Sequence, residues 1–472
     1  MKLTKKMWML FIVFGLFGQI AWAVENMYFN LFIYNTIAKS TKAVTIMVQA
    51  SGIAATITTL FAGTLSDKVG NRKHFISIGY ILWGLSVLAF AFINVDNVTN
   101  LFNIDPTVTS SMFGLSGSGA TKAVAMTLLT VIVMDCVMTF FGSTANDASF
   151  NAFVTDNTDT TNRGLVEGVL SAMPLLALLI VAGGFGLILG EDNNYPRMFI
   201  ILGSVVTASG IFGLFVIKDA PTLVRENKGN FFKNLAYGFL PKTIKANKPL
   251  YIVLFGILVY SIASNIFMPY LIIYMERFLK FTVLEYSAIL ASMILLAAVA
   301  VVFLGKLSDK IGKEKMLVIA GALFVLGLFL MSFVHSDNKA VTIGLLLPTG
   351  FAMLIGFLLL ATLFGAMVKN YIPENNVGKL QGVRMCFAVL LPMFIGPLIG
   401  DSINQWQADK NPEVYTYLDE TTQTIANIPA PQIFLAASLV GLLVFVPIVL
   451  ILIYVKNHKN DAAPLPIENE NL

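Results

Sequence analysis

Twelve apolar stretches of membrane-spanning length, separated by polar segments, run through this 472-residue chain. The hydrocarbon core of a bilayer takes roughly 20 apolar residues of helix, and runs of this length without charge read as spans rather than soluble core. They stand at about 8–37, 43–66, 75–94, 123–153, 165–189, 196–217, 250–275, 286–304, 316–334, 341–368, 380–400 and 433–455. Only 12% of residues are charged against 57% hydrophobic, with a mean hydropathy of +0.78. A soluble domain carries about twice that charge. The chain therefore reads as an all-α polytopic membrane protein, which excludes a soluble enzyme and a disordered polypeptide.

An even number of spans puts both termini on one side. Of the 31 lysines and arginines, 23 fall on the side of the termini and 8 on the other. Basic loops stay cytoplasmic, so both termini are expected there, in the plasma membrane. Lys5-Lys6, the apolar run and Ala21-Trp22-Ala23 mimic a signal peptide and its cleavage site. Removal would leave eleven spans and spoil the charge asymmetry, so the segment is read as the first helix. Cys136 and Cys386 are isolated in apolar runs, which argues against a disulfide framework or metal cluster.

A loop recurs. Gly63-Thr-Leu-Ser-Asp67-Lys68-Val-Gly70-Asn-Arg72-Lys73 follows the second span, and Gly305-Lys-Leu-Ser-Asp309-Lys310-Ile-Gly312-Lys-Glu314-Lys315 follows the eighth, 242 positions on. Each opens the third helix of a six-helix half, so the chain divides into parallel repeats: 1–217 and 250–456, a central loop at 218–249, and a disordered tail at 457–472. Gly63 and Gly305 suit close helix approach, Gly70 and Gly312 a turn, and Asp67 or Asp309 a neighbouring helix N-terminus. Arg72 and Lys73 would hold the inner face or pair with Asp67. Residues 225–248 mix bases with aromatics and suit an interfacial helix. Segments 95–122 and 401–431 read as external loops.

Polar residues within spans mark functional sites, because lipid makes an ionisable group unfavourable by roughly 2.5–3.5 kcal/mol. On the first helix Gln19, Trp22, Asn26 and Asn30 fall within about 80° of one another, with Glu25 about 60° beyond. Amides, a carboxylate and an indole face suit a sugar; the same stripe would also serve to bond neighbouring helices. The fourth helix carries Asn146 and Asp147, the latter nine residues from Asp156 and so ~13 Å into the membrane. A carboxyl there suits proton binding and release, or pairing with a base such as Arg384. Asp135, twelve residues further out, reads as part of an outer vestibule or a helix contact, and Glu167 as a helix cap. The second half offers Tyr260, Ser264 and Asn265.

The two repeated loops resemble the major facilitator signature G-x-x-x-D-R/K-x-G-R/K-R/K, departing at Asn71 in the first copy and Glu314 in the second. The resemblance implies a twelve-helix transporter of two pseudo-symmetric six-helix bundles alternating around a central cavity. Gly18-Gln-Ile-Ala-Trp22-Ala-Val-Glu25-Asn-Met-Tyr28 and Asp147-Ala-Ser-Phe150-Asn-Ala152-Phe-Val-Thr-Asp156 are similar to the first and fourth helices of sucrose carriers and of glycoside–pentoside–hexuronide cation symporters. That similarity implies that Asp147 helps to bind cation and sugar and that Glu25 binds sugar; Asn146 and Glu25 are expected beside Asp147 in the cation-coupling set. The cation symporters also use carboxylates on helix two, where this chain has Gln49, Ser51, Thr56, Thr58 and Thr59. The expected coupling ion is therefore a proton, with no cofactor. The expected partners are a carbohydrate and the lipid bilayer, with no nucleic acid and a monomeric chain.

Two other readings of function stand beside this one. The same fold could export amphipathic compounds, although the fifth helix has Met173-Pro174 and a separate Gly183-Gly184 where such exporters carry G-P-x-x-G-G. A channel or receptor is the remote reading. No G-x-x-x-x-G-K-S/T and no H-E-x-x-H occurs, so neither an ATP-driven pump nor an enzyme is expected.

Overall fold

The computed structural model describes residues 3–159, 162–219, 236–372, 377–420 and 423–457. Among them are twelve helices long and apolar enough to cross a membrane. In the first half these are α1 (Lys5–Thr36), α2 (Thr41–Gly63), α3 (Arg72–Phe90), α4 (Lys122–Asp156), α5 (Leu165–Leu189) and α6 (Tyr195–Val216). In the second they are α7 (Lys248–Phe278), α8 (Val283–Ser308), α9 (Lys313–Met331), α10 (Lys339–Tyr371), α11 (Gly382–Lys410) and α12 (Gln432–Asn457). Helix starts follow local chemistry. The Ser40, Thr121 and Thr282 hydroxyls accept from backbone N–H groups at the starts of α2, α4 and α8, satisfying donors that the first turn leaves free. Gly70, with φ +64°, ends the extended α2 in the left-handed conformation that glycine adopts without strain.

Each six-helix set packs on itself, and the sets meet where α2 lies against α11, α5 against α8 and α1 against α7. Lipid supplies no hydrophobic force between helices, so close approach carries the association. At the α3–α6 crossing a Cβ built on Gly84 would stand 2.4 Å from the Thr207 nitrogen and 2.6 Å from the Gly203 carbonyl oxygen. On the opposite half Gly356 meets the Phe324 backbone as closely. Gly63 and Gly305 do not mark such crossings. A Cβ at Gly63 would reach only Ala148, at 4.0 Å, and one at Gly305 would meet nothing within 4 Å.

The segment read as an external loop at 401–431 is different in its first part. Helix α11 continues through it to Lys410 and buries Asp401. Beyond a short helix at Pro412–Tyr415, β1 (Thr416–Leu418) and β2 (Ile425–Asn427) pair antiparallel as a hairpin. A short helix at Pro241–Ala246 precedes α7, whereas 225–235 of the expected interfacial segment and 458–472 of the tail lie outside the described residues.

Gly84→Val is expected to lower the melting temperature in detergent, because overpacking costs about 1–3 kcal/mol and here the obstacle is backbone. Gly344→Ala, which meets nothing within 4 Å, should leave it unchanged. A thermal melt of the two variants beside wild type checks this.

Candidate substrate and ion site

Both polar clusters found in the sequence sit on π-helical turns, Glu25–Phe29 in α1 and Ser143–Phe150 in α4. Such a turn inserts a residue, interrupts the regular backbone ladder and recurs at functional sites. Asparagine amides occupy the carbonyls at the interruption. Asn26 donates to the Trp22 carbonyl (2.8 Å), Asn30 to that of Asn26 (3.1 Å) and Asn151 to that of Asp147 (2.9 Å). The NH2 groups are thus spent on backbone, and Asn30 Oδ1 is buried without a hydrogen-bond partner.

The turn in α1 swings Glu25 against α2 and α4. Its Oε1 accepts from Ser51 (2.8 Å) and Thr139 (3.3 Å), whose hydroxyls are 2.9 Å apart. Oε2 has no partner. Asp135 of α4 is 1% exposed, and the Ser51 hydroxyl acts on its carboxyl. Asp135 acts electrostatically on Glu25 and lines the same cleft. Of the two readings of Asp135, the helix contact is the one found and the outer vestibule is not: Asp135 joins the first-helix cluster. No sequence pattern linked the two, because the connection runs through a helix-two serine.

About three turns from Asp135 toward the terminal face, Asp147 is half-buried. Ser143 donates to its Oδ2 at 3.0 Å and Asn146 approaches Oδ1 at 3.4 Å. Tyr80 shares its hydroxyl between the Phe14 carbonyl (2.7 Å) and Asn146 Oδ1 (3.0 Å). Trp22 lies near enough to act on the Asp147 carboxyl and packs on Trp83 at 4.9 Å between ring centres. Gly142 makes room for both indoles, since a Cβ there would stand under 3 Å from each. Gln19 is half-buried on the same helix, and Asn26 is exposed at mid-span. The chemistry assembled is a carboxyl held by neutral donors, an indole and amides.

Tyr260 and Asn265 are placed in the other half. Tyr260 stacks on Phe364 of α10 at 5.9 Å, and Asn265 donates to the Ser261 carbonyl at the crossing with Gly396 of α11. Arg384 is exposed, and the groups acting on it are Tyr260 and Glu167. The proposed counter-charge to Asp147 is therefore not found. Glu167 is not a cap but pairs with Lys369 of α10 at 2.5 Å, with both side chains partly exposed.

On the face carrying the termini, Arg72 donates to Asp156 at 2.9 Å and to Ser66, while the Lys73 N–H donates to Asp219 at 2.8 Å. The Asp67 and Asp309 side chains lie outside the described residues. On the opposite face several bonds join the halves among the described residues. Asn35 bonds both Glu276 oxygens and Arg277, the latter at 2.7 Å. Thr41 donates to Asp401 (2.7 Å), Thr45 meets Tyr270 (2.5 Å), and Tyr34 donates to the Asn427 carbonyl (2.8 Å). The hairpin adds backbone bonds from Ile425 to Ser116 and from Gly119 to Gln423, and a buried Lys39–Asp419 pair at 2.9 Å. Burial pushes the Lys39 ammonium below the ordinary lysine value, and Asp419 opposes that shift.

A Major Facilitator Superfamily profile matches residues 7–397 and again 253–469. No curated protein matches the sequence. Among solved structures, a D-xylose–proton symporter is similar at TM-score 0.67 with 12% identity, covering 93% of this chain and 96% of its own. A bacterial homolog of the human lysosomal transporter Spinster, inward-facing and occupied, gives 0.66 with 10% identity over 97% of both chains. A nucleoside transporter gives 0.64 with 11% identity, covering 94% and 99%. At these identities the likeness is one of fold.

Asp419→Asn leaves the Lys39 charge buried without its carboxylate, and breaking a buried pair costs about 3–5 kcal/mol. The variant is expected to open the face away from the termini, so that Thr45→Cys, buried in wild type, reacts several-fold faster with a membrane-impermeant maleimide. Lys39→Met, which removes the charge itself, should react more slowly than Asp419→Asn.

Proposed function

The chain belongs to the major facilitator superfamily, and on that premise we propose that it is a proton-coupled symporter of a sugar or glycoside working by alternating access. It is a transporter and not an enzyme. The observation that carries the finer reading is the mid-membrane meeting of Asp147 with Trp22, Asn146 and Ser143 on α1 and α4. An indole face takes the C–H side of a pyranose ring, and neutral amide and hydroxyl groups bond its hydroxyls without the desolvation cost of a second charge. The solved D-xylose–proton symporter, similar in fold, lends the substrate class support.

Asp147 would carry the coupling proton. Its hydrogen-bond partners are neutral, so an ionised Asp147 takes a net charge into the closed intermediate, where charge at membrane depth is unfavourable. Protonation removes that obstacle and lets the loaded carrier reorient. With the termini cytoplasmic, as the lysine and arginine distribution supports, the seal made by Asn35, Glu276, Arg277 and the hairpin lies outside. Loosening the Asn35–Glu276–Arg277 and hairpin contacts would then open the outer face, while Glu167–Lys369 helps to close the inner one.

Proteoliposomes given a panel of labelled mono- and disaccharides, under an imposed pH or sodium gradient, test the assignment. Uptake driven by the pH gradient in wild type and reduced at least about tenfold in Asp147→Asn is expected, a loss equal to ~1.4 kcal/mol of coupling. If no sugar moves under either gradient, the sugar assignment falls and export of amphipathic compounds takes its place.

A further inference from the structure

The segment that follows α3 is not loop throughout. The Ala91, Phe92 and Ile93 N–H groups donate to the Leu88, Ala89 and Phe90 carbonyls, and after Asn94 a separate helix, Val95–Phe102, begins. Local chemistry defines it at both ends. Asn94 accepts from the Asn97 N–H (2.8 Å), and the Asn97 side chain donates to the Phe92 carbonyl (2.7 Å). Asn103, at φ +49°, closes the far end. At about 100° per residue, Val95, Val98, Leu101 and Phe102 fall within an arc of roughly 120°, and Asp96, Asn97, Thr99 and Asn100 fill the opposite side. Part of the apolar arc is used inside the protein, where the helix packs against α4 and buries Val98. The rest is not: Leu101 is 72% exposed, Phe102 53%, and Phe92, at the entry to the helix, 68%.

We infer that this helix lies in the bilayer interface on the face away from the termini, with Phe92, Leu101 and Phe102 inserted at the boundary between headgroups and acyl chains. Two observations select lipid as the occupant of its apolar side. Only Asn94 separates the helix from the last turn of a membrane-spanning helix, and one residue of chain reaches less than about 4 Å, so the helix starts at the membrane surface. Its apolar side chains also continue the outward stripe of α3, where Ile78, Leu82 and Leu85 are exposed at helical spacing and Phe92 follows. A helix with one apolar and one polar side at that height settles in the interface plane. The mode of attachment follows from charge. Asp96 is the one charged residue of the helix, and 95–121 contains no lysine or arginine, so apolar insertion holds it and anionic headgroups do not. The loop beyond reaches the outer seal. Ser40 donates to the Phe113 carbonyl at 2.6 Å, and the hairpin's Ile425 N–H donates to the Ser116 carbonyl. The helix thus moors on the bilayer the first-half loop to which the second-half hairpin is bonded.

Single nitroxide labels on the full-length protein in phosphatidylcholine nanodiscs test this. They are placed by Asp96→Cys, Asn100→Cys, Leu101→Cys and Phe102→Cys in a background carrying Cys136→Ala and Cys386→Ala. All four labelled positions are exposed, so the fold should survive, and melting curves that coincide with the background check that it does. Labels at 101 and 102 are expected to collide several-fold more with oxygen, which partitions into lipid, than with a water-soluble nickel chelate. Labels at 96 and 100 should show the reverse, and added phosphatidylglycerol should change neither. Equal access of the nickel chelate to all four labels overturns the inference. So does shielding of 101 and 102 from both reagents, which would mean that a second copy or another protein covers the face. Insertion seen only with phosphatidylglycerol present overturns it as well.

Discussion

Inside a bilayer no water is available to bond a free backbone carbonyl, so every interruption of a helix must be satisfied from within the protein. That constraint organises this molecule. The membrane-spanning helices follow from it, and so do the sites where they break regularity. The π-helical turns in α1 and α4 use Asn26, Asn30 and Asn151 to satisfy backbone carbonyls. Glu25 and Asp147 sit within these turns, and the two acidic centres of the transporter arise from the same device.

The centres are chemically unlike. Asp147 is half-buried, bonded to neutral donors and beside an indole. Glu25 and Asp135 are deeply buried, face one another and share the Ser51 hydroxyl. The first arrangement suits a group that takes and gives up a proton while touching a solute. Both lie in the first half, whereas the second half supplies aromatic walls and Arg384. The seal between the halves on the face away from the termini is made of loops and helix ends. Its hydrogen bonds are individually modest, and the buried Lys39–Asp419 pair is added to them.

Much of this was legible in the sequence. The twelve spans stand within a few residues of the apolar runs, because hydrocarbon thickness fixes their length. The Glu25 and Asp147 clusters were visible as polar residues in apolar surroundings. What could not be read was pairing across distance. Asp135 was assigned by its height on α4, yet its neighbours come from α1 and α2. Asn35 and Glu276 are 241 positions apart and carry no shared pattern. Arg384 looked like a counter-charge for want of another base, and it faces Glu167 and Tyr260 instead. The glycines of the repeated loop suggested tight crossings, whereas the tight crossings use Gly84, Gly203 and Gly356. Helical periodicity reports which face a residue occupies and leaves open which helix that face meets.

The central claim is that Asp147 carries a proton across with each sugar. The most direct measurement is the proton movement that accompanies sugar entry, followed with a pH electrode in lightly buffered vesicles when the best-transported sugar is added without an imposed gradient. The account predicts that the medium turns alkaline on sugar addition with wild-type protein and that Asp147→Asn gives no such change. A proton movement of undiminished size in Asp147→Asn, or sugar entry with wild type and no proton movement at all, would contradict it.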